Sequence, residues 1–530
     1  MGATGESPVP RIRESLLASA ETRPYGIGAS VGRVETVSLL AAIAVALALA
    51  VCHLLVAVRA ELHPTEAYYW LWSRYPAISY YDHPPMVAWW IWAGTQIFGT
   101  TTLGIRIASI LSVLATSATL YATGRILFDP AVAARAALWF NVTLLAAVGG
   151  FVATPDAPST FFWALSFLCL AMLFKTGRGA WWLGVGLSAG LGAISKYTDL
   201  FLGLGIVLAL VIDRDLRRWF ASPWLWAGGA LALIAFSPVL LWNHEHGWAS
   251  FGFQFGRLAG AGFAPSHLAD YVGGQVALLN PFIAVFVVLA VALWLAGPPV
   301  RCRREIGLSL ATIAPLILYM LIHATHDRVD GAWLAPAYPA AALSAAAAAQ
   351  SYEGSRAWCG LLRFMRRAAA PVGIAAVLGV LSLLCLPDSK IPGQPGPLSS
   401  FSGWSRLAGD ADAMRRRAGA AWIATDSYRT AAVLSFYLRD SGVPVVQVNE
   451  RIRYVFAPAP DASLLKEPAL LLLRSSLTEP TDYSRCFAVA ARTGTLRHHG
   501  LAGRLLEPYD GFRVDRPIPG IFQAGCDGAP

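Results

Sequence analysis

Ionisable residues interrupt the apolar stretches of this chain in a few short polar segments. The longest of these segments reads ELHPTEAYYWLWSRYPAISYYDHPPM and holds Glu66 and Asp82 among aromatic residues. Shorter segments, TPDAP, SKYTD and HDRVDGAW, add Asp156, Lys196 and Arg328. A carboxylate can accept the proton of a hydroxyl group, and a cation can stabilise a departing phosphate. Together these residue types are suited to group transfer between oxygen atoms.

The elements that must position these residues are membrane helices. Of the 530 residues, 56% are hydrophobic and only 14% are charged. A bilayer-spanning helix needs roughly 20 mainly apolar residues, and many runs approach that length. The sequence therefore predicts a polytopic α-helical membrane protein. We place eleven spans at about 37–58, 103–124, 131–149, 157–174, 181–195, 198–212, 224–242, 272–296, 306–324, 333–349 and 369–387.

Loop charges give the orientation of these spans. Lys and Arg concentrate in alternate loops, whereas the other loops hold most of the acidic residues. The basic set is Arg125, Lys175, Arg178, Arg214, Arg217, Arg218, Arg301, Arg303, Arg304, Arg363, Arg366 and Arg367. Because basic loops face the cytoplasm, we expect a multi-pass protein of a bacterial inner membrane with a cytoplasmic N-terminus. The net charge of +9 then reflects membrane topology and not nucleic-acid binding.

The composition divides the chain into four parts. Residues 1–34 are polar and contain prolines, which predicts a disordered cytoplasmic tail, and residues 35–387 form the predicted transmembrane catalytic domain. Residues 388–405 are rich in Pro, Gly and Ser, which is typical of a linker. The patterns of residues 406–530 predict a small periplasmic α/β domain. It has a helix in TDSYRTAAVLSFYL and strands in VPVVQV, ALLLLRSS and FAVAARTG.

Two short features lie outside the predicted spans. The aromatic stretch Trp89–Phe98 is too short to cross a bilayer comfortably, so we expect an interfacial helix in the first external loop. Cys486 and Cys526 both belong to the predicted periplasmic domain. A disulfide can persist in that compartment, so the sequence permits this pairing without requiring it.

The candidate reactive residues all fall on the predicted outer side. Ionisable side chains at membrane depth are costly and usually mark functional sites. The set comprises Glu66, Asp82, Arg106, Asp156, Lys196, Asp199, Asn243, His244, His246 and Arg328. On this topology they could converge on one outward-facing cavity.

Simpler interpretations exist for most of these residues. Asp156 could cap the helix that follows it, and Lys196 could extend to the lipid headgroups. Arg106 and Arg328 could pair with lipid phosphates, and the two prolines after His83 could form only a rigid turn. Glu66 is harder to explain in this way, because an unpaired carboxylate among tyrosine and tryptophan is costly to desolvate.

A divalent metal ion is a further possibility. Histidines and carboxylates share the outer side, but no tight spacing such as HExxH is present. We therefore predict no certain cofactor, and we name Asp82, His83 and His244 as weak candidates for a possible divalent metal ion.

The order and common sidedness of the motifs resemble the GT-C superfamily of glycosyltransferases that use polyprenyl-phosphate sugars. The likeness is to the bacterial branch related to protein O-mannosyltransferases and to the lipid A aminoarabinose transferase. It covers about residues 37–350. It is carried by HPTEAYYW, YYDHPPM, TPDAP, SKYTD, WNHEHGWASFGFQ and HDRVDGAWLAPAYP.

The resemblance implies sugar transfer from a lipid-phosphate carrier to an acceptor on the outer side of the membrane. It implies the following roles for residues of this chain. The catalytic candidates are Glu66, Asp82 and Asp156; the donor-phosphate ligands are Lys196, Arg328, Arg106 and His83; the substrate pocket adds Tyr68, Tyr69, Tyr81, Asn243, His244 and His246. Much of the family carries an Asp-Glu pair in the first loop, whereas Thr65 precedes Glu66 here. Which carboxylate acts as the base is therefore left open.

The expected partners are a polyprenyl-phosphate-linked sugar and a membrane lipid, glycan or protein acceptor. The chain shows no GxGxxG fingerprint for a nucleotide sugar, which favours a lipid-linked donor. The alternative is a polytopic transporter or flippase of a lipid-linked sugar. Transporters usually place ionisable groups near the midplane and contain repeats, and neither pattern is evident here. A third hypothesis is that the protein is a non-enzymatic assembly scaffold with an external binding domain.

Overall fold

The computed structural model describes most of the chain. The described residues are 29–256, 263–297, 302–351, 356–385, 400–475, 483, 486–500, 503–518 and 520–526. Most of the predicted N-terminal tail and most of the predicted linker lie outside these ranges. The chain forms two compact units. Unit 1 comprises Met1–His53, Ser109–Phe151 and Pro155–Gly379, and unit 2 comprises Leu54–Ala108, Val152–Thr154 and Val380–Pro530.

Helices account for nearly all of the described chain before residue 386. They are α1 (Ala29–Arg59), α2 (Pro64–Arg74), α3 (Met86–Phe98), α4 (Thr102–Leu127), α5 (Pro130–Asn141), α6 (Leu144–Gly149), α7 (Asp156–Thr176), α8 (Trp181–Ala193), α9 (Leu200–Ile212), α10 (Pro223–Glu245), α11 (Ala249–Gly256), α12 (Ser266–Leu279), α13 (Pro281–Leu295), α14 (Arg303–His323), α15 (Tyr338–Ser351) and α16 (Arg356–Cys385). A helix therefore forms wherever the apolar pattern predicts one, α3 included. The interfacial position of α3 stays a prediction.

Fewer helices are long enough to cross a membrane than the sequence predicts. Within the described residues, six are long and apolar enough, at Ser38–Arg59, Thr102–Leu127, Asp156–Thr176, Pro223–Glu245, Arg303–His323 and Trp358–Cys385. A seventh span is possible if α12 and α13, which are bent by 106° at their junction, count as one. The predicted number of eleven spans is thus not confirmed.

Local breaks explain much of the difference. Asn280, between α12 and α13, has a positive φ of 84°, and its side-chain oxygen accepts from the N–H of Phe282 at 3.0 Å. Pro281 follows it, and a residue before proline disfavours helical geometry. The predicted span 131–149 is also broken, because Thr143 caps a new helix by accepting from the N–H of Ala146 at 3.1 Å.

Small residues allow close helix packing in unit 1. A Cβ atom on Gly186 of α8 would lie 2.0 Å from the carbonyl oxygen of Gly228 in α10. The two backbones can approach this closely only because both positions are glycine, a device common in membrane helix pairs. A larger side chain at Gly186 would force α8 and α10 apart.

The C-terminal part of unit 2 is an α/β fold. Two helices, α17 (Trp404–Arg417) and α18 (Tyr428–Tyr437), accompany five strands. The strands are β1 (Trp422–Thr425), β2 (Val445–Gln447), β3 (Ala469–Arg474), β4 (Phe487–His499) and β5 (Leu505–Pro517), in the order β2-β1-β3-β5-β4. The neighbours β2, β1 and β3 are parallel, whereas β5 is antiparallel to both β3 and β4. The predicted helix and three predicted strands are confirmed, and β1 and β5 were not predicted.

One hydrophobic core joins α2 to this α/β fold. It contains Trp70 and Trp72 of α2 together with Leu407, Phe436 and buried residues of β3. The rings of Trp70 and Phe436 meet edge to face, with their centroids 5.0 Å apart. The compact units therefore do not follow the predicted boundary near the linker. Aromatic burial draws residues 54–108 into the unit that contains the C-terminal segment.

A disulfide joins Cys486 and Cys526 and closes a loop with a sequence separation of 40. Constraining a loop of this length in the unfolded state typically stabilises a domain by about 2–4 kcal/mol. Substituting Cys526 with serine is therefore expected to lower the thermal unfolding midpoint of the detergent-solubilised protein. The control is Cys52→Ser, at a cysteine outside the disulfide. Equal midpoints for the two variants would contradict the prediction.

Candidate active site

Glu66 lies at the start of α2 and is held by a network of hydrogen bonds. The side chain of His63 accepts from the N–H of Thr65, and the carboxylate of Glu66 accepts from the N–H of His63 at 3.0 Å, which forms a capping box. Glu66 also accepts from Arg106 Nε at 2.9 Å and Nη2 at 2.7 Å, and from the N–H of Ala153 at 2.9 Å. Both side chains of the ion pair are 0% exposed.

The guanidinium of Arg106 is committed to this network. Besides Glu66, it donates to the carbonyl oxygens of Ala57, Ala60 and Glu61 at 2.8–3.2 Å. Burial raises the pKa of Glu66, but the charge and hydrogen bonds of Arg106 and the two backbone N–H groups outweigh that effect, so the pKa lies below its ordinary value. The pair acts as a fixed structural anchor between the end of α1, the start of α2 and α4.

Asp82 belongs to the YYDHPP turn between α2 and α3 and is also buried. Its Oδ2 accepts from the hydroxyl of Tyr68 at 2.8 Å, and its Oδ1 forms an ion pair with Arg453. Burial raises the pKa of Tyr68 well above its ordinary value, so this hydroxyl stays protonated and donates. The predicted carboxylate Asp82 and pocket residue Tyr68 are thus brought together. Arg453 is a partner that sequence reasoning missed.

The remaining first-loop candidates surround Asp82 at longer range. The rings of Tyr69 and His83 have centroids 6.2 Å apart, and Tyr81 lies 5.3 Å from the guanidinium carbon of Arg453. Tyr69 is buried, whereas Tyr81 and His83 are half-buried. The YYDHPP segment is therefore more than a rigid turn, because three of its side chains have specific neighbours.

Asp156 and Lys196 form a second ionic group, in unit 1. Lys196 Nζ donates to Asp156 Oδ1 at 2.5 Å, and the two side chains are 6% and 16% exposed. Asp156 is the first residue of α7, directly after the N-cap Pro155. Lys196 does not extend away from the protein, because it is buried. Each of the two residues therefore has a buried or nearly buried partner of opposite charge.

Asp199 adds a further buried carboxylate next to this pair. Ser159 of α7 donates to its Oδ1 at 2.5 Å, and its Oδ2 has no hydrogen-bond partner among the described residues. A Cβ on Gly192 would lie 2.4 Å from that oxygen, so only glycine leaves room for it. The SKYTD motif thus supplies both a cation and a second carboxylate. Sequence reasoning placed Asp199 on the correct motif but gave it no role.

The candidates near the end of α10 and the candidate Arg328 are arranged differently. Asn243 is buried and closes the end of α10, since its amide oxygen accepts from the N–H of Phe251 at 3.2 Å and its nitrogen donates to Val239. His246 stacks on Trp242 with ring centroids 4.0 Å apart. His244 and Arg328 are exposed. Local structure therefore accounts for the visible contacts of Asn243 and His246.

No group of three or more His, Cys, Asp or Glu side chains within the described ranges is arranged to hold a metal ion. The possible ion near Asp82, His83 and His244 stays a prediction.

The chain is similar to several known proteins. Residues 82–242 match the family described as dolichyl-phosphate-mannose-protein mannosyltransferase. The chain is 24% identical over 397 residues to the lipid A galacturonosyltransferase RgtD of Rhizobium johnstonii, which covers 71% of this chain and 77% of that protein. It is 30% identical over 178 residues to an undecaprenyl phosphate-aminoarabinose arabinosyl transferase of Pseudomonas aeruginosa, which covers 32% of each chain.

Two solved structures share the fold. The apo structure of ArnT from Cupriavidus metallidurans aligns with a TM-score of 0.61 at 17% identity, covering 92% of this chain and 98% of that one. The structure of the same enzyme bound to undecaprenyl phosphate aligns with a TM-score of 0.62 at 16% identity, covering 89% and 97%. The protein is therefore membrane-embedded and has the GT-C fold. In sequence the chain is likewise similar to glycosyltransferases that are related to this fold.

Proposed function

We propose that this enzyme moves a sugar from a polyprenyl-phosphate carrier to lipid A or another cell-envelope acceptor on the periplasmic side of a bacterial inner membrane. The relatives named as lipid A and undecaprenyl-phosphate sugar transferases support this function. The observation that carries it is the buried Lys196–Asp156 pair, at 2.5 Å, within the part of the chain that matches the mannosyltransferase family.

The proposed reaction needs few groups. The bond between the anomeric carbon and the carrier phosphate breaks, and a bond to an acceptor oxygen forms. The carrier leaves as a phosphate, whose developing charge Lys196 stabilises. A hydroxyl acceptor passes its proton to a carboxylate, whereas a phosphate acceptor is already ionised and needs no base.

The three predicted carboxylates suit this role unequally. Glu66 is 0% exposed and its oxygens accept four hydrogen bonds, so we assign it a structural role. The side chains of Asp82 and Asp156 retain 11% and 16% exposure. We propose that proton transfer, where the acceptor requires it, falls to one of these two aspartates. The anchoring role of Arg106 likewise leaves Lys196 and Arg328, both in unit 1, as the proposed phosphate ligands, and the role of His83 stays a prediction.

We also propose the eleven-span topology with a cytoplasmic N-terminus. The six long helices, the bent pair α12–α13 and four shorter or broken segments add up to this number. The shorter segments are 130–149, 181–193, 197–212 and 331–351. The Cys486–Cys526 disulfide supports a periplasmic α/β fold, because disulfides persist in oxidising compartments.

Dialysis of the enzyme against EDTA tests the predicted divalent ion. Loss of activity that returns when the ion is added back would indicate that the ion is required.

The proposed function is tested with the purified full-length protein in detergent. Incubated with undecaprenyl-phosphate-linked sugars and lipid A, the protein should produce lipid A with the added mass of one sugar. Mass spectrometry measures the product, and a panel of hexose, uronic acid and pentose donors identifies the sugar. A flippase moves its substrate across a bilayer without changing it, so absence of product with every donor, combined with donor translocation in vesicles, would replace this proposal with the flippase.

A further inference from the structure

The side chain of Arg453 reaches the first external loop from the C-terminal segment, 371 residues along the chain from Asp82. It is 7% exposed and forms ion pairs with Asp82 and, at 2.8 Å, with Glu450. Its guanidinium carbon lies 4.4 Å from the ring centroid of Tyr428 and 5.3 Å from that of Tyr81. Stacking of this kind suits the planar, weakly hydrated guanidinium.

The backbone of Arg453 takes part in the same contact. Its carbonyl oxygen lies 3.1 Å from the hydroxyl of Tyr68, which donates to Asp82. Arg453 therefore contacts the Asp82 carboxylate directly and also contacts Tyr68, the second residue that holds this carboxylate. Tyr68 and Arg453 both hold the Asp82 carboxylate, one at each oxygen.

A rigid support holds Arg453 in place. It lies in the short 3-10 helix Arg451–Tyr454, where Arg451 donates to the carbonyl oxygens of Phe522 at 2.9 Å and Gln447 at 3.1 Å. The N–H of Cys526 donates to the carbonyl oxygen of Val448 at 2.6 Å. The disulfide-closed tail thus braces the segment that connects β2 to the 3-10 helix containing Arg453.

We propose that Arg453 is a positioning residue that fixes the carboxylate of Asp82 for sugar transfer, so that the C-terminal segment completes the first-loop part of the site. This inference rests on the proposed function. Asp82 lies in a turn without regular secondary structure, so the backbone ladder of a helix or strand does not hold it. Two carboxylates and two aromatic rings lie around the guanidinium and hold it against Asp82.

The test compares Arg453→Met, Arg453→Lys, Asp82→Asn and the double variant Asp82→Asn/Arg453→Met in the purified full-length enzyme. Arg453→Met is expected to lower kcat about tenfold while the donor KM stays within about threefold, because the residue acts on geometry and not on donor binding. Arg453→Lys keeps the charge and should recover part of the loss. The kcat of the double variant should lie within about twofold of the kcat of Asp82→Asn, because both single changes remove the same interaction between Asp82 and Arg453.

The matched control is Arg513→Met, which removes an ion pair with Asp515 at 2.8 Å in the same sheet and should leave kcat unchanged. Wild-type kcat in Arg453→Met overturns the proposal. So does a rise in donor KM at constant kcat, or multiplicative losses in the double variant. If Arg453→Met does not fold, the Lys variant and its double with Asp82→Asn decide between the same outcomes.

A second readout separates this inference from the proposed function. Hydrogen exchange over residues 78–86 should be faster in Arg453→Met than in wild type, whatever reaction the enzyme catalyses. Faster exchange with no sugar transfer by the wild type would reject the proposed function and retain the support of Asp82 by Arg453. Unchanged exchange would reject the support itself.

Discussion

Replacing Lys196 with methionine is expected to lower kcat/KM for sugar transfer by about 100-fold or more. The substitution keeps most of the side-chain volume but removes the buried cation that we assign to the carrier phosphate. Removing one preorganised charge-stabilising group from an active site typically costs 10²–10³ in rate. It also leaves Asp156 without its partner at 2.5 Å. Initial rates with a fluorescent or radiolabelled polyprenyl-phosphate sugar measure the effect.

The chain offers a matched control for this substitution. Lys175 pairs with Glu305 at 2.7 Å in the same compact unit, but its side chain is 36% exposed. Exposed ion pairs contribute about 1 kcal/mol or less, so Lys175→Met should retain full activity. Equal activity of Lys196→Met and Lys175→Met would contradict the role assigned to Lys196.

Substituting Glu66 with glutamine is expected to destabilise the protein by about 3–5 kcal/mol. The change leaves the guanidinium of Arg106, which is 0% exposed, without a counter-charge, and breaking a buried pair in this way is strongly unfavourable. The thermal unfolding midpoint in detergent and the yield of folded protein measure the loss. Glu305→Gln, in the exposed pair with Lys175, is the control and should change stability by about 1 kcal/mol or less.

The same variant decides between an anchor and a base. Wild-type thermal stability combined with lost turnover in Glu66→Gln would make Glu66 the catalytic carboxylate and contradict our assignment. The pH dependence gives a second check. Because the pKa of Glu66 is depressed in the folded protein, the pair stabilises the fold above the ordinary carboxyl pKa and loses that effect as the pH falls through the depressed value. The stability gap between wild type and Glu66→Gln should therefore narrow in acid.

The sequence predicts the helices well because apolar runs mark them directly. It predicts the number of spans poorly, because single residues such as Asn280 and Thr143 break apolar runs that composition treats as continuous. Hydropathy averages over a window, whereas a positive φ or a side-chain cap acts at one position.

The sequence likewise does not show which of the candidate side chains in the site pair with each other. The sequence identifies Asp156 and Lys196 as candidates on one face, and the structure joins them. It also assigns Glu66 and Arg106 to separate chemical roles, whereas the structure joins them to each other. Residue type alone does not distinguish a reactive carboxylate from an anchored one, because the difference lies in burial and in the number of donors.

The long-range contacts of the first loop carry no signal in a single sequence. Arg453 lies in RIRY, a short basic stretch that resembles many surface segments, and nothing in its spacing points to Asp82. Arg453 follows β2 in the chain, and α18 of the same fold packs on α2 through Phe436 and Trp70. Such a pairing becomes visible only when the fold places distant residues together.

The contacts between the first loop and the C-terminal segment have a consequence for the synthesis of the enzyme. Glu61 accepts from the N–H of Trp404 at 2.6 Å at the start of α17, and Asp82 forms an ion pair with Arg453. A ribosome delivers the two acidic residues early and their partners several hundred residues later. During that interval the first loop has its carboxylates and Tyr68 but lacks Trp404 and Arg453. A nascent or truncated chain would therefore carry a first loop without its C-terminal support, and we expect full turnover only when synthesis is nearly finished.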